Sequence, residues 1–201
     1  MDYNDKYKVK VPEGEQGSWR VEHFEVPSNS WQAFKYGARA PNPGTYTRLI
    51  HVNGFGPVMS DTSAEVRDHW EVIAKLKSAK PDSRVLVHGL GIGMVLQVAL
   101  RNENIQHVDV VELEQDVIDL VAPHYLERTE SGRLTVHHGD AFTFKFPVGT
   151  RWSIAWHDIW PTMCTDDLAE HAKLNRRYAK AADWQGCWAH ELLLDIRRRG
   201  G

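Results

Sequence analysis

Residues 85–100 read VLVHGLGIGMVLQVAL. Val85, Leu86 and Val87 form an apolar run, Gly89, Gly91 and Gly93 follow at alternate positions, and apolar residues resume at Met94. A short, continuously apolar segment reads as a strand buried on both faces of a parallel sheet. The resumed run reads as a helix. Glycine between them tolerates positive φ and lets another group approach the backbone closely, beside the free N–H groups of a helix start.

Outward from this loop the pattern alternates. Strands are expected at 84–88, 107–113, 133–138 and 152–158, with helices at 93–102 and 115–126 between the first three. Such alternation calls for right-handed crossovers and a doubly wound, Rossmann-like, mostly parallel α/β sheet. Upstream, residues 61–79 read as one helix. Thr62 and Glu65 have capping-box spacing, and Val66, Trp70, Ile73 and Leu76 form its apolar stripe. SWRVEHFEV (18–26) and YTRLIHV (46–52) alternate as strands of a small N-terminal β element, with a turn region over 37–46. Residues 1 to about 17 read as a weakly ordered arm. The expected division is 1–60 for arm and β element and 61–201 for the cofactor-binding domain with a helical C-terminal segment.

Length and composition fit one soluble domain: 201 residues, 42% hydrophobic and 25% charged. A formal net charge of −3 gives no support to a broad nucleic-acid footprint, so a nucleic-acid partner is not expected. Two cysteines, Cys164 and Cys187, and no cysteine–histidine group at zinc spacing argue against a disulfide framework or a metal site. The N-terminus lacks the apolar core of a signal peptide and no run is long enough to span a bilayer, so a cytoplasmic location is expected. Tryptophan is abundant, at eight copies.

The glycine loop gains meaning from acids downstream. Glu112 closes the next strand, about twenty residues on, where a carboxylate bonds the hydroxyls of an adenosine ribose. The spacing Gly-x-Gly-x-Gly does not complete a dinucleotide pattern, which favours S-adenosylmethionine over NAD. Asp140, with Ala141 beside it, follows the third strand, where an acid accepts from the adenine amino group; alone it reads equally as a cap. Asp158 closes the fourth strand at the sheet's carboxyl edge.

Together VLVHGLGIG, VVELEQDVIDLVAPHYL, RLTVHHGDAF and WSIAWHDIWP resemble the successive motifs of class I S-adenosylmethionine-dependent methyltransferases over about residues 60–160. The spermidine synthase branch is the most similar. The resemblance implies that Gly89, Gly91 and Gly93 approach the methionine part of the cofactor, that Glu112 holds the ribose and Asp140 and Ala141 the adenine, and that Asp158 orients and deprotonates the acceptor. The chain departs from that branch at Ile92, where its loop carries an acid, and at Pro161, where its second catalytic acid stands. Polyamine synthesis itself is therefore not expected, and the acceptor is not specified.

Two neighbours of Asp158 stay open: Trp160 as a cation–π partner or as packing, and His157, which strand alternation turns away from Asp158. RRYAKAADWQG mixes basic and aromatic residues and reads as a solvated helix face or an anionic contact. After the fourth strand the chain reads as mainly helical, with at most a short strand in ELLLDI, so the sheet is expected to be truncated. The outer edge of the fourth strand would then be covered by the N-terminal element or by a second subunit, which predicts a homo-oligomer. The rival functions are a cofactor-binding protein without transfer activity and an NAD-dependent oxidoreductase.

Overall fold

The computed structural model describes residues 5–28, 40–54 and 56–200. Two sheets form. The first is antiparallel, in the order β1 (Gly14–Gln16), β2 (Trp19–Val26), β3 (Gly44–His51), β4 (Gly56–Ser60). The second is parallel throughout, in the order β7 (Leu134–His138), β6 (Ile105–Glu112), β5 (Ser83–His88), β8 (Trp152–His157), β9 (Ala182–Cys187).

The glycine-loop strand β5 is central. From it the chain moves outward to β6 and β7, then returns to its other side for β8 and β9. Helices α3 (Met94–Leu100) and α4 (Gln115–Leu126) make the first two crossovers, and α5 (Leu168–Tyr178) makes the crossover from β8 to β9. Right-handed connections running in opposite directions put their helices on opposite faces, which is the doubly wound arrangement. Val85, Leu86, Val108, Val110 and Ala155 are therefore buried between layers. Among the described residues no helix is long and apolar enough to cross a membrane.

The C-terminus departs from expectation. ADWQGC is a fifth parallel strand, paired with β8 from Trp152↔Ala182 to His157↔Cys187, and ELLLDI lies within α6 (His190–Arg199). Of the stretch that reads as mainly helical, the helix α5 stops at Tyr178. Trp184, Gly186 and Cys187 gain more by packing against β8, where Trp156 and Trp184 stack at 6.4 Å and 3°, than by continuing a polar helix. The uncovered edge on which the expectation of a homo-oligomer rests is therefore filled from within the chain.

The N-terminus departs too. Within the expected arm, Tyr7, Val9 and Val11 are buried, because apolar residues alternate with Lys8 and Lys10 and only the apolar set faces inward. Asp61 holds this segment: Oδ2 accepts the Val9 N–H at 2.9 Å and Oδ1 the Thr47 N–H at 2.7 Å. The strands expected at 18–26 and 46–52 are β2 and β3. The turn region over 37–46 falls partly outside the described residues, and Gly44–Tyr46 already belongs to β3.

The helix expected over 61–79 is divided into α1 (Ser63–Asp68) and α2 (Trp70–Lys77), which meet at His69 with φ −97° and ψ 7°. Thr62 precedes α1 without capping it; its Oγ1 pairs with Ser60 Oγ at 3.0 Å. Val66, Ile73 and Leu76 are buried, but Trp70 is 43% exposed and lies under Lys77 Nζ, 4.8 Å from the ring centre. The turn at His69 has rotated the stripe.

Candidate functional site

Strand β5 and strand β8 are neighbours whose outgoing connections run in opposite directions, so their carboxyl ends leave a crevice. A cavity of about 520 Å³ lies there. Gly89, Gly91, Glu112, Asp140, Ala141 and Asp158 all line it, brought together from the ends of β5, β6, β7 and β8. Gly93 does not. The roof is the N-terminal sheet, which contributes Trp19, Leu49, His51, Val58 and Met59. That sheet closes over the crevice; it does not run along the edge of β8.

Each loop glycine has a reason inside the fold. All three have positive φ: 88°, 51° and 77°. A Cβ on Gly89 would sit 2.0 Å from the Asp158 carbonyl oxygen, one on Gly91 2.2 Å from the Met59 sulfur, and one on Gly93 2.4 Å from the Tyr125 ring. The Tyr125 hydroxyl donates to the Ile92 carbonyl at 2.8 Å, which clamps the loop against α4. The glycines thus serve close packing of protein on protein, and the case for a ligand passes to the acids.

Glu112 points into the crevice and fastens the loop. Its Oε2 accepts the Leu90 N–H at 2.7 Å and its Oε1 the Glu114 N–H at 2.9 Å. Burial pushes its carboxyl above the usual range, and the N–H groups of Glu114, Leu90 and Leu113 work against that rise. A carboxylate has about four lone-pair sites, so acceptor capacity remains for hydroxyl donors. Asp140 caps its own turn by accepting the Phe142 N–H at 2.7 Å on Oδ1.

Asp158 has a partner that sequence reasoning missed. His69, fully buried at the junction of α1 and α2, directs Nε2 to Asp158 Oδ2 at 2.6 Å and Nδ1 to the Glu65 carbonyl at 2.8 Å. A carbonyl only accepts, so Nδ1 carries a proton; a second proton then lies between Nε2 and the carboxylate. Burial alone would lower the pKa of His69, but the charge and hydrogen bond of Asp158 outweigh it and raise it to about 9. The imidazolium therefore fixes one oxygen of Asp158, a residue that lines the cavity, and leaves Oδ1 outside that bond. The available signal was a histidine beside a helical stripe, whose distant partner no local pattern reveals.

Other aromatic and histidine side chains sort themselves. Trp160 is a wall of the cavity: its Nε1 donates to Glu170 Oε2 at 2.8 Å and its ring stands 4.1 Å from that of His171. His157 turns away, as alternation requires, and meets His88, Nδ1 to Nδ1 at 2.7 Å. Gln185 Oε1 faces His157 Nε2 at 3.3 Å. His157 therefore donates from Nε2, His88 donates from Nδ1, and the buried Nε2 of His88 lacks a partner among the described residues. Burial pushes the pKa of His157 down to about 4, and that of His88 well below the ordinary value.

The wall is strongly acidic. It carries Glu65, Glu112, Glu114, Asp140, Asp158 and Glu170, with no lysine or arginine among the described residues that line it. Among the described residues no group of three or more histidine, cysteine, aspartate and glutamate side chains is placed to hold a metal ion.

No family model matches the chain, and no curated protein sequence matches it. Solved structures do. The cyclase SpnF aligns with 60% of this chain and 42% of its own at 20% identity, TM-score 0.46. The CcbJ methyltransferase from Streptomyces caelestis aligns with 58% of this chain and 44% of its own at 18% identity, TM-score 0.44. The YcgJ protein from Bacillus subtilis aligns with 57% of this chain and 46% of its own at 18% identity, TM-score 0.43. The chain thus spans less than half the length of these proteins, and at such identities the likeness is one of fold alone.

Proposed function

We propose that the crevice binds S-adenosylmethionine or a close sulfonium relative, and that the protein transfers an alkyl group from it. The observation that carries this reading is the convergence of Glu112, Asp140 and Asp158, three carboxylates from three strand ends, on one cavity. In it Glu112 receives the ribose hydroxyls, Asp140 and Ala141 flank the adenine, and Gly89 and Gly91 form the floor.

The donor set fits part of the group well. Lone pairs on Glu112 suit two hydroxyls, and a sulfonium is attracted by the six carboxylates and by the Trp160 face. Nothing cationic in the wall meets the carboxylate of a methionine moiety, so the fit is to the nucleoside and the sulfonium. The same charge opposes NAD, whose two phosphates would face acids without a lysine or arginine.

When bound, the sulfonium supplies an activated alkyl group for in-line displacement. What this chain adds is position and a proton acceptor. Asp158, with Oδ2 held by His69, keeps Oδ1 for a proton on the attacking heteroatom. An acidic, tryptophan-walled cavity favours a cationic or amine acceptor, which agrees with the spermidine-synthase-like pattern of the motifs.

Calorimetric titration with S-adenosylmethionine, its decarboxylated form, S-adenosylhomocysteine and NAD tests the ligand. The sulfonium compounds are expected to bind and NAD is not; binding of NAD alone refutes the reading. Glu112→Gln is expected to weaken binding at least tenfold, about 1.4 kcal/mol. Turnover in the presence of a cell lysate, lost in Asp158→Asn with cofactor binding retained, separates a transferase from a binding protein.

A further inference from the structure

Opposite in sign to the cavity is a surface beside its mouth. The side chains at 173, 176, 177 and 180 of α5 and its end fall on one helical face, because they are three, four and seven residues apart. Lys173, Arg176, Arg177 and Lys180 are all exposed. The segment that follows β7 adds Lys145, and Arg151 precedes β8, both exposed.

These cations are held next to one another. Lys173 Nζ lies 4.7 Å from the centre of the Phe142 ring, Arg177 donates to the Phe144 carbonyl, and Arg151 donates to the Lys180 carbonyl. Two arginines are thus anchored to backbone, which fixes their position and leaves their charge. Among the described residues only Arg151 has a carboxylate partner within ion-pair distance, Asp183 at 2.7 Å; Lys145, Lys173, Arg176, Arg177 and Lys180 have none there. Five unneutralised cations drawn from two separate segments are more than a helix needs for solubility in a chain whose net charge is −3.

We propose that this basic face binds the phosphate backbone of a nucleic-acid strand. A file of lysine and arginine along an exposed helix, next to partly exposed Phe142 and Phe144, suits an extended polyanion with phosphates on the cations and bases toward the rings. An anionic membrane would ask for apolar side chains around the cations, and Val148 is the one fully exposed large apolar residue in these segments. Phe142 also lines the cavity, so a strand on this face passes its mouth. The face binds whether or not the cavity holds a sulfonium ligand.

Fluorescence anisotropy with labelled thirty-base ribo- and deoxyribo-oligonucleotides at about 50 mM salt tests it. Binding in the micromolar range is expected, with a slope of log affinity against log salt no steeper than about −3.5 for five phosphates. Lys173→Glu/Lys180→Glu is expected to weaken binding at least tenfold, and Lys10→Glu/Lys80→Glu, the same charge change elsewhere, less than twofold. Crosslinking of the unaltered protein to a thiouridine-containing strand should map to 142–151 and 173–180, which keeps the test decisive if the double variant fails to fold. Absence of binding, equal loss in both double variants, crosslinks elsewhere, or binding to anionic phosphatidylglycerol vesicles but not to oligonucleotide overturns the proposal.

Discussion

His69 and Asp158 show how much one side-chain pair can set. The folded-state pKa of His69 lies near 9, above the ordinary 6.5. Its contribution to stability is therefore complete below about pH 6.5 and is lost as pH rises through 9, with an upper bound on the order of 3 kcal/mol. Urea midpoints should fall between pH 6 and pH 9.5, and Asp158→Asn should flatten that fall. An unchanged slope in the variant would remove the pair from the account. His69→Ala leaves a carboxylate with its partner gone beneath the cavity, and is expected to cost about 1–3 kcal/mol in the same assay at pH 6.

The glycine loop is an element whose sequence was easy to find and whose purpose was not. Its three positive φ values are the backbone of a tight strand-to-helix turn, but Asp158, Met59 and Tyr125 occupy the space that the missing side chains leave. Gly93→Ala places a methyl group in the Tyr125 ring and strains the backbone, for about 2–4 kcal/mol. Gly132→Ala, with φ 87° and nothing within 4 Å, suffers only the backbone strain, about 1–2 kcal/mol. Thermal melts of the two variants separate packing from conformation; equal losses would show that the Tyr125 contact yields. Strand β9 teaches the converse, for its six residues carry no run of β-branched side chains. It is a strand because β8 offers it a ladder and a tryptophan to stack on.

Charge is distributed by tertiary placement: a cavity of carboxylates and a separate face of cations lie within a chain of small net charge. Titration behaviour also belongs to the whole molecule. His157 and His171 are held neutral, with pKa values pushed down to about 4 by burial and, for His171, also by the nearby His190. They gain protons only once unfolded, so stability falls as pH drops from about 6.5 toward 4. With the opposite trend from His69, these histidines place a stability maximum near pH 6.5. Denaturation midpoints across pH 4–10 check it, and ring-proton resonances of His157 and His171 should not titrate above about pH 5.

Much of the fold was legible along the chain. The strands from β5 to β8 and helices α3 and α4 follow from runs of apolar residues at two distinct periods, and those periods are a local property that burial on a sheet or a helix face imposes directly. The placement of Glu112, Asp140 and Asp158 at strand ends beside the crevice was legible because strand ends alternate with helix starts in a fixed order. What lay beyond reach was non-local. The burial of Tyr7, Val9 and Val11, the strand character of ADWQGC, and the partnership of His69 with a carboxylate 89 residues away each depend on what another segment presents. A hydrogen bond or a ladder is specified by two partners, and the sequence around one of them contains no trace of the distance at which the other will be found.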